Sequence, residues 1–258
     1  MKSIKNFMGE GFWIGGKHAV KEAVLNPQRT IIKIYLNENL QEDFNSLKNI
    51  TKKKFSIEIK TNKQIDQIFK NNSFKHQGIA SLIEKISEIN IKDKLLEIKQ
   101  KKNSIIVILD NITDQRNIGS IIRSSVAFNV DILILLKKNF NHKDHGLYKS
   151  ASGCMEHITL IPVSNIAQSI ELLKQFNYWV LGLDQTARQS IASIDISEKI
   201  AFVLGSEDRG IRELVKKKCD DLIKIEINKS SNSLNVSNAC SACLAITNYK
   251  LNENNNFK

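Results

Sequence analysis

The sequence has 258 residues, of which 41% are hydrophobic and 25% charged, a composition typical of globular proteins with one large domain or two smaller ones. It contains no apolar run near the roughly 18 residues that a membrane-spanning helix needs, and no signal-peptide core near its N-terminus, so we expect a cytoplasmic protein without membrane contact. The net charge is +11, and the first 100 residues hold 18 Lys+Arg against 11 Asp+Glu. This excess of positive charge favours a polyanionic partner, although a Lys-rich soluble surface would produce the same excess.

The first part of the chain alternates between short helical and extended patterns. Helices are predicted at 16–25, 40–51 and 61–69, and strands at 31–36, 55–59 and 78–83. This pattern predicts a small α/β domain at 12–85. The polar, Lys-rich segment that follows lacks strong apolar periodicity, and we interpret 86–103 as a linker.

From residue 104 onward the alternation becomes regular. Strands are predicted at 104–109, 132–136, 178–183, 200–204 and 222–227, and helices at 118–128, 166–176, 211–219 and 235–249. Short, nearly continuous apolar strands separated by helices predict a parallel sheet covered on both faces. This second domain spans 104–251 and is followed by a polar tail at 252–258. In such sheets, ligands bind at the carboxyl ends of the strands.

The four cysteines are too few for a disulfide framework. Cys240 and Cys243 have the CxxC spacing of zinc and redox sites. A zinc site needs about four ligands, and no second CxxC or paired histidines lie nearby. Both cysteines fall inside a predicted helix, so we expect buried structural thiols and no metal.

Polar loops follow three of the predicted strands. After the first strand, Asn117 and Gly119 open a helix, and Arg123 is expected to project into the same region from its second turn. In the second loop, Gly205 and Gly210 permit a tight turn but form no dinucleotide-binding fingerprint. The third loop, 230–239, is rich in hydroxyl and amide side chains. Taken singly, each loop is equally explained by helix capping and tight turns.

Taken together, the three loops resemble a known set of motifs. Asn117–Arg123 (N-x-G-x-x-x-R), Leu204–Gly210 (L-G-S-E-x-x-G) and Ser233–Ser237 (S-L-N-V-S) resemble those of the SpoU (TrmH) branch of the SPOUT methyltransferases. Lys149–Glu156 (KSASGCME) is similar to a further segment of that branch. The resemblance covers residues 104–250.

The N-terminal domain shares in this resemblance. Gly16–Val20 and His76–Ala80 are similar to the start and end of the family's RNA-binding domain. The two-part layout is similar to that of the family members that methylate a guanosine ribose in 23S ribosomal RNA (rRNA). The resemblance therefore implies a small N-terminal α/β RNA-binding domain followed by a parallel-sheet methyltransferase domain with a trefoil knot, which involves 205–210 and 222–238.

The family's activity is transfer of a methyl group from S-adenosyl-L-methionine to a ribose 2′-hydroxyl of structured RNA, carried out by a homodimer. The matching positions for catalysis are Arg123, Asn117, Glu207 and Asn235. The matching positions for cofactor binding are Gly205, Ile225 and Leu234, with Leu183 and Ser233 as further candidates. Since the pKa of arginine exceeds about 12, we expect Arg123 to stabilise a developing alkoxide rather than to accept its proton.

The sequence departs from the family pattern in two places. The loop that usually contains Asp-Pro-x-Asn has Asp114-Gln115-Arg116-Asn117, so its proline is missing. The usual Ile-Pro-Met before the third motif is Ile225-Glu226-Ile227. Neither departure removes a polar group of the expected site.

The basic N-terminal domain fits an RNA-binding role, because phosphate contacts supply much of the affinity for RNA. The candidate phosphate contacts are Lys17, Lys21, Arg29, Lys33 and Lys75. His18 and His76 match family positions, but a packed, hydrogen-bonded histidine explains each equally well.

The sequence leaves three alternative functions to compare. The first is a transfer RNA (tRNA) 2′-O-methyltransferase of the same branch, and the second is a non-catalytic RNA-binding or ribosome-assembly protein with the same fold. The third is a nucleotide-dependent oxidoreductase, which is disfavoured because the sequence lacks the Gly-rich first turn that such enzymes need.

Overall fold

The computed structural model describes residues 11–69, 75–228, 230–231 and 233–256. Asn232 of the third loop and residues 257–258 of the predicted tail lie outside them. The strands are β1 (Phe12–Gly15), β2 (Ile31–Leu36), β3 (Ser56–Ile59), β4 (Ile79–Ile83), β5 (Ser104–Asp110), β6 (Ile132–Leu136), β7 (Thr159–Val163), β8 (Trp179–Leu183), β9 (Gln189–Ser190), β10 (Lys199–Gly205) and β11 (Asp221–Lys224). The α-helices are α1 (Lys17–Leu25), α2 (Gln41–Thr51), α3 (Asn62–Ile68), α4 (Ile91–Glu97), α5 (Gln115–Ala127), α6 (His145–Ala151), α7 (Ile166–Gln175), α8 (Glu213–Lys216) and α9 (Val236–Asn256).

The first of two compact units comprises the described residues up to Ser87 together with Asn141–His157. Its strands follow the order β1-β4-β2-β3, with β4 antiparallel to both neighbours and β3 parallel to β2. The predicted helices and strands of this domain are confirmed to within a few residues. Thr61 is the N-cap of α3, and its side chain exchanges hydrogen bonds with Gln64 in a capping box.

A buried ion pair attaches the Asn141–His157 segment to the rest of the first unit. The Arg29 and Glu156 side chains are only 4% and 1% exposed. Arg29 donates from Nη2 to Glu156 Oε1 at 2.8 Å and from Nε to Oε2 at 3.0 Å. Its remaining Nη1 donates to the Glu84 carbonyl at 2.8 Å. The prediction that Arg29 contacts phosphate is therefore wrong, because its guanidinium is buried and already paired.

His76 is likewise a packed residue of the first unit. Its ring is buried, with Nε2 3.0 Å from Asp66 Oδ1, and Nδ1 accepts a hydrogen bond from the Gly78 amide at 3.0 Å. Lys17, His18, Lys21 and Lys75 are exposed.

The second unit contains Glu88–Phe140 and the described residues from Ile158 onward. Its strands follow the order β7-β6-β5-β10-β8-β11-β9, and every pairing in this sheet is parallel. Apolar side chains of β5, β6 and β10 are buried in its core. The predicted fold class, a small α/β domain followed by a parallel-sheet α/β domain, is confirmed.

The strand order is not sequential where the resemblance implies a knot. After β9 the chain forms β10 between β5 and β8, and it then returns to form β11 between β8 and β9. The residues that follow β11 lead into α9, which packs against α5. Ser124 and Ser241 join these two helices through a 2.6 Å hydrogen bond between their hydroxyls.

The structure differs from the predicted domain limits. Residues 86–103 contain α4, whose Leu95 is buried in the core of the second unit, so this segment is not an extended linker. The segment Asn141–His157 belongs to the first unit. At the C-terminus, α9 continues to Asn256, into the predicted polar tail.

Some elements escaped prediction for physical reasons. β7 contains Pro162, and a proline within a sequence segment argues against predicting a strand there. β7 nevertheless forms because it lies at an edge of the sheet, where proline is tolerated. β1 and α6 are too short to show a clear period. No helix of the described residues has the length and apolar character required to cross a membrane.

Replacing Glu156 by glutamine should lower the free energy of unfolding of the first unit by about 3–5 kcal/mol, because Arg29 would stay buried without a counter-charge. Urea unfolding followed by circular dichroism measures this change. The control, Glu58→Gln, removes the carboxylate of an exposed pair with Lys60 at 3.1 Å and should cost about 1 kcal/mol or less. Equal losses in the two variants would contradict the assigned role of Glu156.

Candidate active site

The three motif loops meet at one edge of the parallel sheet. They follow β5, β10 and β11, whose carboxyl ends all point the same way because the strands are parallel. At this edge Gly205 pairs in register with Asp110, the last residues of β10 and β5. Loops separated by about 100 residues in sequence are thereby placed side by side.

The second loop is a closed turn whose backbone bonds to itself. The Ser206 amide donates to the Gly210 carbonyl at 3.2 Å, and the Gly210 amide donates to the Ser206 carbonyl at 2.8 Å. A Cβ atom on Gly205 would lie 2.0 Å from the Gly210 carbonyl carbon, so this position accepts only glycine. Gly210 has a φ of +64°, which glycine adopts without strain.

An ion pair between the half-exposed Arg212 and the buried Asp110 connects this loop to β5. The Asp110 side chain is fully buried, and its Oδ1 accepts hydrogen bonds from Arg212 Nε at 2.8 Å and Nη2 at 2.6 Å. Its Oδ2 accepts from the Arg212 amide at 2.9 Å. The loop after β10 is therefore fixed to the end of β5 through both side chain and backbone. Neither residue was predicted from the sequence as part of the site.

Glu207 collects donors from the first and third loops. Its Oε1 accepts hydrogen bonds from Asn117 Nδ2 at 3.0 Å, from Asn235 Nδ2 at 2.6 Å and from the Val236 amide at 3.4 Å. Asn235 Nδ2 also donates to Asn117 Oδ1 at 3.1 Å. Three of the four predicted catalytic positions, Asn117, Glu207 and Asn235, thus form one hydrogen-bonded cluster, the polar cluster.

Helix capping holds the polar cluster in place. The Asp114 side chain accepts hydrogen bonds from the Arg116 and Asn117 amides and caps α5. Asn235 precedes α9, and its Oδ1 accepts from the Ser237 amide at 3.0 Å and from the Ser237 hydroxyl at 2.6 Å. Asn117 and Asn235 therefore lie at the N-terminal ends of two packed helices, and Glu207 joins them from the turn after β10.

Arg123 lies apart from the polar cluster. Arg123 follows Asn117 by six residues on α5, which correspond to about 9 Å of rise and about 120° of rotation around the helix. The hydrogen bonds of the polar cluster do not include Arg123. Arg123 is exposed, and among the described residues no hydrogen bond or ion pair involves its guanidinium. It is free to bind an anion from solution.

A cavity of about 270 Å³ opens beside the polar cluster. All five predicted cofactor positions, Gly205, Ile225, Leu234, Ser233 and Leu183, line it, together with Glu207. Its wall is partly apolar, from leucine and isoleucine side chains, and partly polar, from serine hydroxyls and loop backbone. An apolar wall with a few polar groups suits a planar base joined to a charged chain, so the residues present fit S-adenosylmethionine.

An ion pair that was not predicted from the sequence lies in the same wall. Lys216 Nζ is 2.6 Å from Asp184 Oδ2, while Asp184 Oδ1 accepts from the Thr186 amide at 2.9 Å and hydroxyl at 2.7 Å. Burial opposes ionisation of Asp184, but hydrogen bonds from Lys216 and Thr186 outweigh it and lower the pKa of this carboxyl. Asp184 directly follows β8, and its position at the carboxyl end of a strand could have identified it as a candidate site residue.

The departures from the family pattern are accommodated locally. Gln115 stands where the proline is usual, at the first position of α5, which proline favours. Its Nε2 donates to the Thr113 carbonyl at 2.8 Å and the Asn139 carbonyl at 2.7 Å, which ties the loop down. Ile225 keeps its place in the cavity wall beside the altered Glu226.

The cysteine pair is buried in α9. Burial raises the pKa of Cys240 to about 12 and that of Cys243 well above its usual value, so both remain thiols at neutral pH. Within the described ranges, no group of three or more His, Cys, Asp and Glu is arranged to hold a metal ion.

Comparison with known proteins gives consistent matches. Residues 104–245 match the model of the SpoU rRNA Methylase family, and residues 13–88 match a model described as RNA 2′-O ribose methyltransferase substrate binding. A TrmH family tRNA/rRNA methyltransferase of Staphylococcus haemolyticus is 33% identical over 235 residues, which is 90% of this chain and 93% of that protein. One from Staphylococcus aureus strain MSSA476 is 34% identical over 231 residues, 88% and 92% of the two chains.

Solved structures share the fold. The SpoU methyltransferase AviRb from Streptomyces viridochromogenes, in complex with the cofactor AdoMet, superposes with a TM-score of 0.78 at 17% identity, over 95% of this chain and 92% of that one. An AdoMet-bound rRNA methyltransferase from Sinorhizobium meliloti gives a TM-score of 0.77 at 18% identity, over 94% and 88%.

Substitution of Gly205 by alanine should displace the 206–210 turn and weaken AdoMet binding about tenfold or more, because the new Cβ meets the Gly210 backbone. Isothermal titration calorimetry measures the affinity. Gly210→Ala is the matched control, since a Cβ there meets no atom within 4 Å and costs only the strain of a positive φ. If Gly205→Ala bound AdoMet as wild type does, the turn would not shape the cavity.

Proposed function

This chain belongs to the SpoU family of RNA methyltransferases, and we propose that it methylates the ribose 2′-hydroxyl of a guanosine in 23S rRNA. The cofactor of the family is S-adenosylmethionine (AdoMet). The observation that carries the proposal is the polar cluster of Asn117, Glu207 and Asn235 at the rim of the cavity. The substrate-binding match at 13–88, whose description names RNA 2′-O ribose methyltransferases, supports ribose as the target.

The cavity residues hold the cofactor, and the polar residues beside it act on the ribose. Leu183, Ile225 and Leu234 supply apolar surface for the adenine, while Gly205 and Ser233 bring backbone and hydroxyl groups to the sugar and methionine portion. AdoMet supplies a methyl group on a positively charged sulfur, which is already a strong electrophile. The chain's own task is to position the hydroxyl in line with that carbon and to favour loss of its proton.

The polar cluster positions the ribose. Oε1 of Glu207 is occupied by three N–H donors, whereas its Oε2 accepts no hydrogen bond from the described residues. Oε2 therefore accepts a hydrogen bond from the ribose hydroxyl while Asn117 and Asn235 hold the carboxylate still. This arrangement orients the attacking oxygen before reaction. Such positioning supplies much of the rate gain in a displacement of this kind.

Arg123 stabilises the charge that develops on the ribose oxygen. Its guanidinium is free, always protonated and suited to binding a phosphate together with an alkoxide. The proton leaves to a phosphate oxygen or to water. Because Arg123 does not contact the polar cluster, we place the ribose between the two, and we propose a homodimer with its active site near the subunit interface, as the family resemblance implies.

The two-domain layout favours rRNA over tRNA. The structure of A. aeolicus TrmH/SpoU tRNA modifying enzyme covers 64% of this chain, whereas the S. meliloti rRNA methyltransferase covers 94%. The additional N-terminal unit suits a large folded substrate read partly by shape. With this substrate, we place the protein in the cytoplasm. A non-catalytic RNA-binding protein has no need of an ordered polar cluster beside a cofactor cavity.

Changing Arg123 to alanine should lower the rate of 2′-O-methylation by about 10²–10³-fold and leave AdoMet affinity unchanged, because the guanidinium acts on the ribose and not on the cofactor. Methylation is measured with tritiated AdoMet and affinity by calorimetry. Arg116→Ala, which removes another exposed arginine of α5, is the control and should retain activity. A folded Arg123→Ala protein that methylates normally would end this assignment.

Cells that lack the protein should lose one 2′-O-methylated guanosine from 23S rRNA and none from tRNA. Sequencing that detects 2′-O-methyl positions in both RNA pools provides the measurement. Loss from tRNA alone would favour the tRNA alternative. Failure of the purified protein to bind AdoMet, even with rRNA fragments present, would favour the non-catalytic RNA-binding protein.

A further inference from the structure

One face of the first unit's sheet carries two aromatic rings that its core covers only in part. Trp13 on β1 pairs with Leu82 on β4, which in turn pairs with Lys33 on β2, so these residues share a face. Tyr35 lies on the same face two residues further along β2. The rings of Trp13 and Tyr35 converge across the intervening strand, with centroids 4.9 Å apart and an interplanar angle of 37°.

The inner side of these rings is anchored by α3. Ile65, Phe69 and Ala80 form a small buried cluster, and Trp13 and Tyr35 pack against it as partly buried side chains. Both residues are only partly buried, so part of the ring surface remains accessible. Rings fixed from beneath lose little further freedom when a flat ligand stacks on them.

Two lysines lie beside the same rings. Lys33 Nζ is 5.2 Å from the Tyr35 centroid and 5.9 Å from that of Trp13, and it bonds to the Tyr35 hydroxyl at 3.2 Å. Lys60 Nζ is 5.2 Å from the Tyr35 centroid on the β3 side. All three distances to ring centroids lie within the range of cation–π attraction. Lys60 also pairs with Glu58, but both side chains are about a third or more exposed.

We propose that Trp13, Tyr35, Lys33 and Lys60, the aromatic platform, bind an unpaired nucleotide of the RNA substrate. Its base stacks on the exposed ring surface, and the two ammonium groups bind the adjoining phosphates. This inference rests on the proposed function, since it takes RNA as the partner. Aromatic rings flanked by cations are how proteins hold single-stranded nucleotides without a paired partner, and the basic excess of the first 100 residues suits a polyanion.

The test compares two RNA probes on the full-length protein. One is a hairpin with a loop of unpaired nucleotides, and the other is a fully paired duplex of the same length. Fluorescence anisotropy of labelled RNA gives each dissociation constant. Calorimetry with AdoMet on every variant reports whether the second unit remains folded, and thermal unfolding reports the first.

Trp13→Ala should weaken hairpin binding by about 5- to 150-fold, the loss expected for one stacked base, and change duplex binding less than about twofold. Trp13→Phe keeps a stacking ring and should retain most of the affinity. Should Trp13→Ala fold poorly, Lys60→Gln provides the test, because the Lys60 side chain is partly exposed and is not part of the buried cluster beneath the rings. That variant should reduce the salt dependence of hairpin binding by about one unit of slope, whereas Lys54→Gln, an exposed lysine before the same strand, should not.

The outcomes separate this inference from the proposed function. Hairpin binding by Trp13→Ala at wild-type affinity, or equal losses on hairpin and duplex, would overturn the aromatic platform while leaving the methyltransferase assignment intact. So would equal effects of Lys60→Gln and Lys54→Gln. A wild-type protein that binds AdoMet but neither RNA would overturn the proposed substrate, and the platform with it.

Discussion

The common direction of the strands in the second sheet determines where chemistry can take place. Parallel pairing from β7 to β9 brings the carboxyl ends of β5, β10 and β11 to one edge, and the loops that follow them carry the polar residues. A single reversed strand would send its loop to the opposite edge. The cavity and the polar cluster thus follow from strand direction before any side chain is considered.

Direction alone brings the loops near one another, and buried polar contacts fix their positions. The fully buried Asp110 carboxylate is stabilised by three hydrogen bonds from Arg212, so the turn after β10 cannot drift from the end of β5 without leaving a buried charge unpaired. One oxygen of Glu207 then joins the first and third loops. Loops held this way need little reorganisation when a substrate binds. Such preorganisation is the usual source of rate enhancement at group-transfer sites.

Much of this arrangement could be predicted from the sequence. Short apolar runs indicate strands, and Gly- or Asn-containing segments indicate turns and helix starts, for reasons that are local in the chain. The strands 132–136 and 31–36 matched to the residue. The features that the sequence did not reveal depend on partners distant in the chain. Leu95, for example, lies in a Lys-rich segment, and its burial cannot be predicted until the core that covers it is known. The same holds for Glu156, which resembled a motif position of the methyltransferase domain but pairs with Arg29 in the first unit.

Net charge is a sound guide to the class of partner and a poor guide to the contacts. Within the first unit, Arg29 is neutralised by Glu156, and Lys53 donates to three backbone carbonyls while burial lowers its pKa. Such cations serve the fold and are withdrawn from phosphate binding. The exposure and pairing of the cations, and not their number, decide which of them contact RNA. Lys33 and Lys60 lie partly exposed beside the partly buried rings of Trp13 and Tyr35. An RNA-binding face is therefore expected where partly exposed cations lie beside half-covered aromatic rings.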